Sequence, residues 1–256
     1  MMQLIDTGVE ADVYLDGTIY KLFKSEKTGR KSAEVEDSVL RFLSAKSYPV
    51  PTPEGLFEKD NRAGVKMGFV RGFNLQEDFY NPGHGARVGK MLGNLHYILH
   101  NIASENFPKN LPHAKDLFES IANTLGLSNI LSSLCDEKLV LAHGDFHPAN
   151  IIVSAHGEIV IDWSHAYIAP AEADIAGTLV IFKIFQIPSD ANSEERVIMQ
   201  QNLVEAQRTY LREYETRIRL QRSLIEKWVR VIASLYSSSN EKANELVLGR
   251  IEILWS

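Results

Sequence analysis

The sequence predicts an α+β protein of two lobes, a small β-rich N-terminal lobe over residues 1–70 and a larger, mainly helical C-terminal lobe over 71–256. Three observations carry this prediction. Short β-rich pieces punctuated by Gly and Asp-Gly turns dominate the start of the chain. After VRGFN the apolar residues recur at steps of three and four. A single further β segment, HGDFHPANIIVSAHGEIVIDW, then interrupts the helical part. At 256 residues and 45% hydrophobic composition, the chain suits one large globular domain or two lobes sharing a cleft.

In the first lobe, VYLDG, TIYKLFK and GVKMGFV read as strands, and KSAEVEDSVLRFLSAK reads as a helix with Ser32 as its N-cap. Val35, Val39, Leu40, Phe42 and Leu43 form its apolar face. The prolines of YPVPTPEG, residues 48–55, exclude helix and central strand and make it a connector. Lys21 shares a strand face with Ile19 and Phe23, and an ammonium there needs a partner. Tyr20 and Leu22 cover the other face, so a snorkelling lysine is the plain alternative. Glu36 lies on the stripe of Leu40 and Leu43, faces inward and is the expected partner, whereas Glu34 and Asp37 project elsewhere. The plain alternative for Glu36 is a solvated acid favoured by the helix dipole.

In the second lobe, Val88, Leu92, Leu95, Leu99 and Ile102 mark the core face of a helix over 85–103, which makes His96 a structural histidine. TLVIFKIFQI at 178–187 is too short to span a bilayer and predicts a buried helix. Asp174 could cap that helix and is expected to be structural. Three more helices are expected over roughly 193–216, 220–236 and 240–254. A net charge of −6 gives no support for a nucleic-acid surface. With Cys135 as the only cysteine, no intrachain disulfide can form. The N-terminus lacks a basic stretch before an apolar one. Together these predict a soluble, cytoplasmic protein that needs no nucleic acid, membrane or protein partner.

The stretch HGDFHPANIIV holds His143, Asp145 and His147, either metal ligands or parts of a catalytic loop. With Ala155-His156-Gly157 as a three-residue hairpin loop, Ser154 pairs with Glu158 and Asn150 with Asp162. Opposed residues on antiparallel strands lie about 4.5–5.5 Å apart, so an amide oxygen and a carboxylate would converge at the open end. Oxygen ligands at that spacing suit Mg²⁺; a two-residue loop would offset them. Asp145 precedes Asn150 by five residues, and a carboxylate there could accept a hydroxyl proton. Asp-x4-Asn preceded by His two residues earlier is the spacing of a kinase catalytic loop.

HGDFHPANIIV followed by IVIDWSHA resembles the aminoglycoside phosphotransferase/choline kinase-like family, small-molecule kinases of the protein-kinase-like fold. The resemblance implies a catalytic base at Asp145, a loop-organising role for His143, and Mg²⁺ ligands at Asn150 and Asp162. GVEADVYLDGTIYKLFK resembles the family's phosphate loop and next strand, with Lys21 in the position that contacts the nucleotide phosphates. Glu36 falls where the family's helix glutamate would be. MGFVRGFNL resembles its hinge, implying that Met67 and Phe69 meet the nucleotide, and LGNLHYILH resembles its helix ending in Leu-His. The phosphate loop departs from the pattern: only Gly8 is present, Ala11 stands where a second small residue would help, and Glu10 and Asp12 add negative charge. Backbone N–H groups could still cradle phosphate.

The expected activity is transfer of the γ-phosphate of ATP or GTP to a hydroxyl of a small molecule, with Mg²⁺. One rival takes His143, Asp145 and His147 as a transition-metal site in a hydrolase; it leaves Lys21, Asn150 and Asp162 without roles. A second is a nucleotide-binding module that no longer catalyses, favoured only by the degenerate phosphate loop. His147 has three readings: metal ligand, contact to the transferred phosphate, or hydrogen-bonded loop residue. Trp163 and Ser164 are expected to pack or cap. Residues 186–256 carry ten acids and ten bases, which predicts no preference for a cationic acceptor.

Overall fold

The computed structural model describes residues 2–103, 106–124, 126, 131, 138–236 and 243–245. The chain forms two compact units, each discontinuous in sequence. The first comprises Met1–Phe73, Glu105–Leu111 and Asn150–Ala166, and the second Asn74–Ser104, Pro112–Ala149 and Tyr167–Ser256.

The first unit is built on an antiparallel sheet of β1 (Gln3–Thr7), β2 (Ala11–Leu15), β3 (Thr18–Phe23), β4 (Pro53–Lys59) and β5 (Arg62–Gly68), in the order β1-β2-β3-β5-β4. Helix α1 (Gly29–Ala45) buries Val35, Glu36, Val39, Leu40 and Leu43, the stripe read from the sequence, while Phe42 is half-buried edge-on to Phe107. The helix begins before Ser32, whose N–H already bonds the Thr28 carbonyl at 3.1 Å; Thr28 is the N-cap. The Pro-rich connector gives way to strand sooner than expected. Pro53 opens β4 at the sheet edge, where a missing N–H costs no ladder bond.

The hairpin of β8 (Ile151–Ser154) and β9 (Gly157–Val160) belongs to the same unit, with β6 (Gly72–Asn74) alongside β8. Its register corrects the expected one. Ser154 pairs with Gly157 and Ile151 with Val160, so the loop is the two residues Ala155-His156. Gly157 joins the ladder at φ 118°, and Ser154 Oγ takes up the turn by donating to the Gly157 carbonyl at 2.7 Å. The shift sets Asn150 against Ile161, whose N–H bonds the Asn150 carbonyl at 2.9 Å, and leaves Asp162 one residue beyond.

In the second unit, α2 (Gly85–His100) lies against α5 (Ser193–Glu215). Gly85, Gly89 and Gly93 line the contact: a Cβ on them would fall 2.4, 2.3 and 2.7 Å from the carbonyl oxygens of Asn202, Ala206 and Tyr210. Only glycine permits backbones that close. The buried Asn202 side chain donates to the Phe79 and Asn81 carbonyls and accepts from Gly85 N–H, tying the approach to α2 onto α5. Strand β7 (Leu139–Ala142) pairs antiparallel with β10 (Tyr167–Pro170). Helix α3 spans Ala114–Thr124, α4 spans Ala171–Ile184 and α6 spans Arg222–Ala233. Helix α4 is the buried helix expected, and no helix of the described residues is long and apolar enough to cross a membrane. The helix expected over 240–254 lies outside the described residues except at 243–245.

Candidate active site

Lys21 is held on β3 by ladder pairs to Val13 on β2 and Val65 on β5. That position sends its side chain into the interior of the first unit rather than to solvent. Nζ lies 2.9 Å from Glu36 Oε2 and donates to Asp162 Oδ1 at 2.6 Å. The residue is only 8% exposed and Glu36 is fully buried, which removes the snorkelling and solvated-acid alternatives. Burial alone would lower the lysine pKa; the Glu36 and Asp162 carboxylates outweigh it and raise the pKa, so the ammonium stays charged. Burial raises the Glu36 carboxyl, and the neighbouring ammonium opposes that shift.

Asp162 takes a left-handed backbone, φ 63°, which aspartate tolerates better than most residues. Its neighbours hold it there. Trp163 is fully buried, donates Nε1–H to the Val160 carbonyl at 3.1 Å, packs edge-on to Tyr48, and gives its backbone N–H to Glu36 Oε1 at 3.3 Å. Ser164 Oγ donates to Asp162 Oδ1 at 2.8 Å. So Lys21, Glu36 and Asp162 converge, with Trp163 and Ser164 as the supports that the sequence marked only for packing or capping.

The β1–β2 loop makes a tight turn in which Gly8 N–H bonds the Ala11 carbonyl at 2.9 Å, and Ala11 is buried. The two acids that counted against this loop are paired. Asp12 accepts from Arg62 at 2.7 Å with Lys24 at 3.4 Å, and the Arg62 bond, ahead of the other contributions, keeps its carboxyl below the usual range. Glu10 Oε2 lies 3.1 Å from His165 Nε2. Met67, on β5, is buried with its carbonyl accepting from Thr18 Oγ at 2.7 Å, while Phe69 is exposed. Asn150, at the start of the hairpin, is buried.

The remaining candidates belong to the second unit. His143 is fully buried, and its Nδ1 accepts from Asp145 N–H at 3.2 Å, which places the imidazole proton on Nε2. Asp145 Oδ2 lies 3.3 Å from His147 Nε2, and both side chains are partly exposed. His143 is thus turned inward to hold the loop, away from any shared focus with Asp145 and His147. Asn74 Nδ2 ties the far side of the loop by donating to the Ala149 carbonyl at 2.5 Å.

The residue that organises this loop was assigned only a helix cap from the sequence. Asp174 lies within α4, and Pro170 is the N-cap. The carboxylate reaches out of the helix instead. It accepts from the backbone N–H groups of His143 at 2.6 Å and Gly144 at 3.0 Å, from His96 Nε2 at 2.8 Å and from His100 Nε2 at 3.3 Å. His96 Nδ1 pairs with Tyr210 OH and His100 Nδ1 with Tyr214 OH, each at 2.8 Å. With His96 neutral, Tyr210 donates to its Nδ1 and its Nε2–H donates to Asp174. His96 and His100 with Asp174 are the cluster of possible metal-ligand atoms among the described residues, and protein groups alone satisfy it. The available signal was NLHYILH, which puts two histidines four apart on the face carrying Leu92, Leu95 and Leu99. Tyr236, beyond α6, is a second residue without a sequence signal; burial and the Asp145 charge raise its hydroxyl pKa.

Burial, outweighing the nearby Asp174 carboxylate, lowers the His96 pKa from 6.5 to about 4. Between those values the unfolded chain binds more protons than the folded one, so stability falls as pH drops. Asp174, held well below 3.8 by its histidine partners against the opposing effect of burial, loses its contribution only at still lower pH. The melting temperature at pH 5 is therefore expected several degrees below that at pH 7.5, at about 2–4 °C per kcal/mol. A melting temperature constant across that interval would contradict a buried, neutral His96.

A model of the phosphotransferase enzyme family matches residues 2–219. The chain belongs to that family. No curated protein matches the phosphotransferase. Among solved structures it is similar to an aminoglycoside-3'-phosphotransferase of type VIII, at 16% identity over 90% of this chain and 92% of that one, with a TM-score of 0.63. It is also similar to the streptomycin–ATP–APH(2'')-IIa ternary complex, at 14% identity over 96% and 85% of the two chains, TM-score 0.63. A choline kinase from Cryptosporidium parvum matches at 16% identity over 98% and 87%, TM-score 0.59. At these identities the likeness shows the fold, which is the α+β, protein-kinase-like class expected from the sequence.

Proposed function

We propose that this phosphotransferase is a small-molecule kinase that moves the γ-phosphate of ATP or GTP to a substrate hydroxyl. The observation that carries the proposal is the buried Lys21 ammonium between Glu36 and Asp162, on the strand next to β2, which the β1–β2 loop enters. A charged group this deeply buried is costly to maintain, and phosphate oxygens are what such a cation can serve. The ATP in the APH(2'')-IIa complex supports the choice of nucleotide.

In this reading the loop from Gly8 to Ala11 borders the phosphates, and Met67 and Phe69 border the nucleotide. Lys21, oriented by Glu36, neutralises phosphate charge. Asp145 accepts the proton of the acceptor hydroxyl as its oxygen bonds to the γ-phosphorus and the bond to the departing nucleoside diphosphate breaks. His143 keeps the loop in shape by accepting the Asp145 N–H. Asn150 and Asp162 would hold Mg²⁺: their donors are oxygens, which suit a hard cation, and the Asp162 side chain is 37% exposed. Bound there, the ion would supply charge neutralisation on the phosphoryl oxygens. Use of cellular nucleotide and the presence of a single cysteine fit a cytoplasmic setting.

Thermal unfolding with ATP or GTP, with and without Mg²⁺, tests this directly. At 100 times its Kd a nucleotide is expected to add about 2.7 kcal/mol to the wild type, with Mg²⁺ required and with Asp162→Ala abolishing the gain. Stabilisation by Zn²⁺ alone, with none by either nucleotide, would sink the kinase and favour a hydrolase using His143, Asp145 and His147. Nucleotide binding without transfer to any of a panel of hydroxylated acceptors would leave a binding module.

A further inference from the structure

The β1–β2 loop is poor in glycine and poor in packing. Val9 is 96% exposed, Gly8 and Glu10 are exposed too, and a cavity of about 420 Å³ lies under the loop, walled by Val9, Glu10, Phe23, Lys24, Thr28 and His165 among others. With open space beneath it, the loop takes its position from polar ties rather than from side-chain packing. Those ties come from two residues. Lys24 donates its backbone N–H to the Glu10 carbonyl at 2.8 Å and its Nζ to the Gly8 carbonyl at 2.5 Å. His165 Nε2 meets Glu10 Oε2 at 3.1 Å. Both anchors stand on firm elements: Lys24 directly follows β3, and His165 follows the Asp162-Trp163-Ser164 segment seated by the buried Trp163.

We propose that Lys24 and His165 are positioning residues for the nucleotide, clasping the β1–β2 loop at both ends of Gly8-Val9-Glu10 in place of the missing glycines. This role rests on the nucleotide-binding function proposed above. A glycine-rich loop approaches phosphate because it has no side chains in the way; a clasped loop achieves a fixed approach by restraint. The clasp also fixes where the Glu10 carboxylate points. Held by His165 Nε2 at 3.1 Å it is kept in one place, whereas set free it can swing beside the phosphates.

That second effect predicts an order of variants that a merely structural contact would not produce. His165→Ala removes the tie and frees the Glu10 carboxylate toward the phosphates, so it raises the Kd for Mg-ATP and Mg-GTP most, by about 3–5-fold. Glu10→Gln loses the tie and the charge together and raises the Kd about 2–3-fold. The double variant returns to the level of Glu10→Gln, and His165→Lys, which keeps a donor for Glu10, recovers most of the loss. Lys24→Met raises the Kd several-fold on its own. Calorimetric titration measures each Kd, and amide hydrogen exchange at Gly8 and Lys24, faster in His165→Ala and Lys24→Met, reports the fastening without nucleotide. Wild-type affinity retained in all variants would overturn the clasp while leaving the nucleotide function standing. A wild type that binds neither nucleotide would overturn that function and the positioning role with it. Unchanged exchange at both amides would show that nothing is clasped.

Discussion

Asp145→Asn is expected to lower phosphate transfer by about 10²–10⁴-fold, the largest effect on activity of any single substitution in this chain. The amide matches the carboxylate in size but cannot take up a proton. The loop around it keeps backbone ties that do not use that carboxylate. His143 and Gly144 are held through their backbone N–H groups by Asp174, and His143 Nδ1 bonds the Asp145 N–H, which the substitution keeps. Magnesium-dependent stabilisation by nucleotide should therefore persist while transfer to the acceptor is lost. Steady-state kinetics with an acceptor from the hydroxyl panel measures the first, and thermal unfolding the second. Activity within tenfold of wild type would remove Asp145 from the role of base.

Asp174→Ala is expected to cost the most stability. The substitution removes the acceptor of four donors at once, three of them on buried residues: the N–H groups of His143 and half-buried Gly144, and Nε2 of His96 and His100. A buried donor without a partner costs about 1–3 kcal/mol, and removing one side of a buried charged network costs about 3–5 kcal/mol. A loss of at least about 3 kcal/mol is expected on those grounds, read as a lower midpoint in urea unfolding. Asp174→Asn retains one acceptor oxygen but turns an amide N–H₂ toward groups that are themselves donors, so it recovers only part of the loss. A change below about 1 kcal/mol for Asp174→Ala would mean that the network is not held through this carboxylate.

These two aspartates differ in how they can be read. Asp145 sits in a local pattern, His two residues before and Asn five after, and local spacing is what a catalytic loop requires. Asp174 acts on residues 30 and 31 positions earlier in the chain. Nothing in AEADIAGTL separates an aspartate that caps its own helix from one that reaches out of it. The same distinction explains Lys21 and Glu36. Alternation along β3 and the three-four stripe on α1 turned both inward, so their meeting was legible. Asp162 as the second carboxylate on the same ammonium was not, since it arrives from 141 residues away.

By itself the sequence determined the α+β class, the helices α1, α2 and α4, the His-x-Asp-x4-Asn spacing, and the inward faces of Lys21 and Glu36. Each depends on periodicity or on neighbours within a few residues, where backbone geometry allows little choice. Tertiary structure decided the hairpin register, where a two- and a three-residue loop fit the same letters and Ser154 Oγ favours the shorter. It decided the fate of Glu10 and Asp12, whose charges count against phosphate until His165, Lys24 and Arg62 are brought beside them. It also decided the left-handed Asp162, held by Trp163 and Ser164. In each case the deciding term is the pairing of a polar or charged group with a partner from another element, and such pairing leaves no period in the chain.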